Sequence, residues 1–156
     1  VRIRLLCITN RQPGWVAQGY QEYARRMRGS VRLELTEIPL CKRRGSQPVD
    51  RSVADEGERL LRQVPPGAFV VALDAGGQAW TTTRLAARLE RWQRRGREVA
   101  LLIGGPDGLA PACLERAEAR WSLSALTLPH GLVRVVVAEA LYRAHSLNEG
   151  HPYHRA

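Results

Sequence analysis

Leu101-Leu102-Ile103-Gly104-Gly105-Pro106-Asp107-Gly108 opens the stretch that decides the fold. It continues through Trp121-Ser122-Leu123-Ser124-Ala125-Leu126-Thr127-Leu128-Pro129-His130 and closes with Leu132-Val133-Arg134-Val135-Val136-Val137-Ala138-Glu139-Ala140-Leu141. Two apolar segments end in glycine- or proline-marked loops, and a long apolar helix follows. Loops held side by side on a rigid scaffold are the usual walls of a small-molecule pocket.

Working outward, the same punctuation recurs. Residues 1–9, 68–74 and 98–103 read as strands, the first with the continuous apolar core Leu5-Leu6-Cys7-Ile8, as in strands buried on both faces. Residues 31–38 alternate apolar and polar, which predicts a half-exposed strand towards a sheet edge. Helical spacing covers 15–28, with Trp15, Gly19 and Tyr23 on one side, and also 50–64 and 82–95. Pro111 can open a helix reaching 119, and residues 132–147 form the last helix. Thr81 or Thr82 is placed to cap the third helix and Gly96 to end it. Residues 75–80 read as a loop, 121–128 as mostly extended, and 148–156 as a polar tail. Strands alternating with helices predict a mostly parallel α/β sheet flanked by helices. In such sheets ligands gather at the carboxyl ends of the strands, so the loops after Leu73, Ile103 and Leu123 should share one edge.

The chain has 156 residues, 24 Lys+Arg, 15 Asp+Glu and a net charge of +9. That length suits one domain with a real core. Arginine outnumbers lysine because of general usage, Lys42 being the only lysine, but usage does not explain the excess over acids. The excess favours a polyanionic partner, RNA or DNA before membrane. The loop Cys41-Lys42-Arg43-Arg44-Gly45-Ser46-Gln47-Pro48 is a candidate contact. Cys7, Cys41 and Cys113 have no CxxC spacing, which argues against a disulfide framework and against a zinc site. No apolar run approaches the ~20 residues of a membrane span. Arg2 and Arg4 interrupt the first apolar segment, so no secretion signal is read there and the cytoplasm is the expected location. Neither GxxxxGK[ST] nor a GxGxxG after the first strand is present, so a phosphate cradle is unsupported. A flat, uncharged ligand moiety against the glycine turn stays open.

The quoted stretch, with Glu139-Ala140-Leu141-Tyr142-Arg143-Ala144 and the tail His151-Pro152-Tyr153-His154-Arg155, closely resembles the bacterial ribosomal RNA large-subunit methyltransferase H family, of the SPOUT class. The resemblance extends over Pro13-Gly14-Trp15, Glu37-Ile38-Pro39 and Ala86-Ala87-Arg88-Leu89-Glu90-Arg91-Trp92. It implies a single domain over 1–156 whose C-terminal part, about 101–147, is tied in a deep trefoil knot (the α/β-knot fold). It implies S-adenosylmethionine as cofactor, a homodimer, and methylation of N3 of a pseudouridine in 23S rRNA, in the helix 69 loop of the assembled ribosome.

Carried over by position, cofactor contacts fall on Leu73, Gly105, Ser124, Ala125, Leu126, Thr127, Leu128 and Pro129. From pattern alone Leu73, Leu126 and Leu128 read as plain core. The N3 of a uracil ring holds its proton near neutrality, so a base or a cation beside the ring helps transfer. His154 is the candidate base, with Arg143 and Arg155 holding phosphate or the developing negative ring. Tyr142 and Tyr153 could stack on a base. The alternative is a non-catalytic RNA-binding or ribosome-assembly protein of the same fold. A small nucleotide-binding protein is a weaker third reading.

Overall fold

The structure is a computed structural model and describes residues 1–41 and 48–153. The basic run at 42–47 and the tail residues His154 and Arg155 lie outside the described residues. The elements run β1 (Arg2–Thr9), α1 (Gly14–Ala24), β2 (Arg32–Pro39), α2 (Val49–Arg62), β3 (Phe69–Ala79), α3 (Thr82–Arg95), β4 (Val99–Ile103), α4 (Pro111–Arg116), β5 (Ala119–Ser122) and α5 (His130–Asn148). All five strands are parallel, in the order β2-β1-β4-β3-β5.

The apolar runs are continuous because both faces of the sheet are covered. On β1 and β4, Ile3, Leu5, Cys7, Val99, Leu101 and Ile103 face α1, α3 and α5. Between them, Leu6, Ile8, Ala100 and Leu102 face α2 and α4. β2 is an edge strand, as its alternation requires. Thr81 caps α3, its hydroxyl accepting the Arg84 N–H at 3.1 Å, and Gly96 ends the helix at φ 67°. Cys7 and Cys113 are buried free thiols.

Four local readings need correction. β3 runs on to Ala79 through the expected loop, with a register shift against β5 between Leu73 and Gln78. The physical reason is Gly77, where a Cβ would lie 2.7–2.8 Å from the Arg120 and Trp121 backbone. That glycine serves close strand approach, not a turn. α4 stops at Arg116, since residues 119–122 join the sheet as β5. Of the segment 121–128 read as extended, only Trp121 and Ser122 are strand; the rest, up to Pro129, is loop. On α1 the buried residues are Val16 and Tyr20, and Trp15 is 54% exposed.

Candidate functional site

The stretch of β3 from Leu73 to Ala75 and the loops after β4 and β5 meet at one edge of the sheet and line a cavity of about 460 Å³. That lies within the range of ordinary ligand pockets, roughly 300–1,000 Å³. Its floor is apolar: Leu73 at the end of the straight part of β3, Ile103 ending β4, and Trp121 on β5. One wall is the turn after β4, where the Gly108 N–H donates to the Gly105 carbonyl at 3.0 Å. Gly108 adopts φ 83°, a conformation that favours glycine. Gly104 is required by closeness to backbone, and Gly105 is crowded by side chains. A Cβ on Gly104 would sit 2.6 Å from the Gly108 carbonyl carbon, and one on Gly105 would sit 2.9 Å from Leu40.

The opposite wall is the loop after β5. It is held by short-range bonds: the Ser122 hydroxyl donates to the Ser124 carbonyl at 3.2 Å, and the Ser124 hydroxyl accepts the Leu126 N–H at 2.9 Å. The loop therefore keeps its shape while Leu126 stays 75% exposed. Of the expected cofactor residues, Leu73, Gly105, Ser124, Ala125, Leu126, Thr127 and Leu128 all line the cavity. Pro129 stands just outside it, as the residue that caps α5.

Among the described lining residues the titratable side chains are Asp74 and His130, and none is Arg or Lys. In a chain of net charge +9, a wall without cations suits a ligand that carries no phosphate and brings positive charge itself. A larger cavity of about 770 Å³ lies across the turn, with Pro106 shared and Arg11, Glu37 and Glu56 in its wall. Its charged lining does not suit a flat apolar moiety, and it lies away from the ends of β3 and β5.

His130, the first residue of α5, lines the pocket. Burial first, then the Arg134 guanidinium, lowers its pKa from the ordinary 6.5, against a hydrogen bond to the Ile8 backbone that raises it. The ring is therefore neutral at pH 7. A folded-state pKa below the unfolded one means that the unfolded chain takes up protons first as pH falls. Stability should then drop as pH falls through the unfolded value near 6.5, and level off below the folded one. In His130→Gln the thermal midpoint should fall less between pH 7 and pH 5 than in the parent. An equal fall in both would remove His130 from that account.

Arg134 is 3% exposed, although it lies mid-helix in an apolar run. Its guanidinium donates to the Thr9 hydroxyl at 3.1 Å and pairs with Glu37 at 3.3 Å. It ties the start of α5 to the carboxyl ends of β1 and β2. Such an arginine could not be told from a surface one in sequence, because its partners come from residues 9 and 37.

The expected catalytic group divides. Arg143 binds Glu139 (Nε to Oε1 2.8 Å) and stands 5.1 Å from the centre of the Tyr153 ring. Tyr153 donates its hydroxyl to Glu139 at 3.1 Å and packs on Tyr142. Burial and Glu139 push the Tyr153 phenol up to about 12, so it stays protonated. The His151 ring accepts the Tyr153 N–H at 3.2 Å, which orders the turn leading to the tail. This cluster lies towards the far end of α5. At 1.5 Å per residue, Arg143 is about 20 Å along the helix from His130. Within one chain it does not line the pocket. Among the described residues no group of three or more His, Cys, Asp or Glu could hold a metal, and no helix is long and apolar enough to cross a membrane.

The pocket formed by those strand-end loops agrees with the comparisons. The family described as Predicted SPOUT methyltransferase matches residues 1–154. The chain is 57% identical, over 157 positions and the whole of both proteins, to the Ribosomal RNA large subunit methyltransferase H of Alkalilimnicola ehrlichii. In fold it is similar to a probable methylase family protein from Haemophilus influenzae Rd KW20, with TM-score 0.57 and 12% identity over 99% of this chain and 70% of that one. The glycine turn, the loop at 122–129 and the full-length match agree: this chain belongs to the SPOUT methyltransferase family.

Proposed function

We propose that this chain methylates N3 of a pseudouridine in 23S rRNA, using S-adenosylmethionine, as a cytoplasmic homodimer acting on the helix 69 loop of the assembled ribosome. The observation that carries the cofactor assignment is the pocket's apolar floor, with no Arg or Lys and one carboxylate, Asp74, among its described lining residues. The RNA assignment rests on the +9 charge and on the name of the 57% identical relative. The family's knot would span 101–147, with the turn at 104–108 and the loop at 122–129 as its two pocket walls.

Bound there, the cofactor supplies an electrophilic methyl group on a sulfonium. The chain's own residues do the rest. Leu73, Ile103 and Trp121 offer an apolar slot to a ring, and Asp74 at the rim can accept from a ribose hydroxyl. The Ser124–Leu126 hydrogen bond fixes the loop before any ligand arrives, so little ordering cost falls on binding. A neutral His130 adds no repulsion against a sulfonium. His154 takes the N3 proton, while Arg143 and Arg155 hold phosphate or the anionic ring.

The distance along α5 separates the Arg143 cluster from the pocket in one chain, so the tail is proposed to act at the pocket of the second copy. α5 supports that arrangement. It carries apolar residues on every side, yet Val136 and Ala140, outside the pocket, remain only partly buried, as on a helix that a partner covers. Ribosomes that lack the mark, incubated with the protein and labelled cofactor, should gain one methyl group. Mass spectrometry should place it on N3 of a pseudouridine in 23S rRNA. Retained RNA binding with no methyl gained would favour the non-catalytic reading instead.

A further inference from the structure

α3 carries a stripe that no other helix among the described residues has. Arg84, Arg88, Arg91 and Arg95 follow one another at steps of four, three and four residues, which places them on one face. Other arginines on or beside helices reach a partner: Arg26 pairs with Glu22, Arg62 with Glu58, Arg143 with Glu139 and, off the stripe on α3 itself, Arg94 with Glu90, while Arg59 donates to the Pro39 carbonyl, Arg116 to the Ala68 carbonyl and Arg134 pairs with Glu37. Along the stripe the charged neighbours three and four residues away on the helix are all arginines, and such like-charge neighbours destabilise a helix. Among the described residues none of the four side chains has an ion pair or hydrogen bond. Arg84, Arg91 and Arg95 are exposed. Arg88 lies flat against an aromatic, its guanidinium carbon 4.1 Å from the centre of the Trp80 ring. Burial, then Arg91 and Arg84, lower its pKa, as expected where like charges gather without an acid.

Trp80 stacks in turn on Trp121, with ring centres 5.0 Å apart and planes at 13°. Trp121 is part of the pocket floor. One guanidinium and two indoles thus join the stripe to the pocket. We propose that the outer face of α3 binds the phosphate backbone of the substrate RNA through Arg84, Arg88, Arg91 and Arg95, and leads that strand towards the pocket behind Trp121. The inference rests on the RNA reading above and adds the surface that would hold the strand.

The chemistry favours RNA over a lipid surface. The stripe spans about 16 Å of helix, and the planar guanidinium fork matches phosphate oxygens. A helix that lies on lipid also needs exposed apolar residues beside its cations. Here Leu85, Ala86, Leu89 and Trp92 are all buried against the sheet and α5.

The test uses the full chain and a fluorescent 23S rRNA stem-loop transcript, with anisotropy read between about 50 and 200 mM salt. The variant is Arg84→Gln/Arg91→Gln/Arg95→Gln, which leaves Arg88 on Trp80. Each lost phosphate contact should make the slope of log affinity against log salt shallower by about 0.7–0.9, so the triple variant should lose roughly 2 to 3. Affinity at the lowest salt should fall more than about tenfold. Lysine at the three positions should restore most of the slope. S-adenosylmethionine binding, by calorimetry, should be unchanged. An unchanged slope overturns the proposal, as does a loss of affinity that lysine does not rescue. Methyl transfer by the parent protein is measured alongside. Transfer with an unchanged slope removes this surface and keeps the enzyme reading. A shallower slope without transfer keeps the surface and removes that reading.

Discussion

Replacing Gly104 by alanine should cost most of the affinity for S-adenosylmethionine. The added Cβ would lie 2.6 Å from the Gly108 carbonyl carbon and 2.8 Å from both its oxygen and the Leu109 nitrogen. All three are backbone atoms, so no side chain can swing aside. The turn must open, and the turn is a pocket wall. Overpacking of this kind costs about 1–3 kcal/mol, equivalent to roughly 5- to 150-fold in affinity. Gly108 provides the contrast. It has φ 83° and no atom within 4 Å of a would-be Cβ, so Gly108→Ala meets only the conformational cost of about 1 kcal/mol. Calorimetry on both variants separates the two effects. Parent-like binding by Gly104→Ala would mean that the turn does not shape the cofactor site.

The second large effect concerns Arg134, and its sign depends on which partner is removed. Glu37→Ala leaves a guanidinium that is almost wholly buried, with only the Thr9 hydroxyl to accept from it. Breaking a buried pair from that side should cost about 2–4 kcal/mol, a fall of roughly 5–15 °C in thermal midpoint. Arg134→Met is the milder change. The Glu37 side chain is 52% exposed and returns to water. Thr9 keeps Gln12 as a donor at 3.1 Å, and the unbranched methionine retains much of the volume of the arginine stem. The expected cost is below about 2 kcal/mol. If Arg134→Met proved the worse of the two, the attraction of the pair, and not the burial of the cation, would be the dominant quantity. Because Arg134 fixes the first turn of α5, next to His130 and Val133 in the pocket wall, Glu37→Ala should also weaken cofactor binding.

Much of this was legible in the sequence, for physical reasons that differ by element. Continuous apolar runs such as Leu5-Leu6-Cys7-Ile8 can arise only where both strand faces are covered. They fixed the parallel sheet, and with it the edge at which Leu73, Gly105 and Ser124 meet. Strand order was not legible: nothing local to Val99–Ile103 says that β4 lies between β1 and β3. Gly76-Gly77 reads as a turn in any local scheme, whereas its role is set by Arg120, more than forty residues on. Arg134 and the arginines of α3 look alike in sequence, as cations on helices. Only the tertiary environment makes the first a buried strut and the others an open stripe. The Arg143 cluster carries the same lesson at a larger scale. Its residue types suited the chemistry, but the length of α5 keeps it from the pocket of its own chain.

A crystal structure of the protein with S-adenosylhomocysteine tests the central claim most directly. The account predicts the ligand between the turn at 104–108 and the loop at 122–129, in contact with Leu73, Gly105 and Leu126, and the Arg143–Tyr153 cluster of the partner subunit at the mouth of the site. Ligand bound instead in the larger cavity beside Thr9, Glu37 and Ser52, or a site closed by one chain alone, would contradict it.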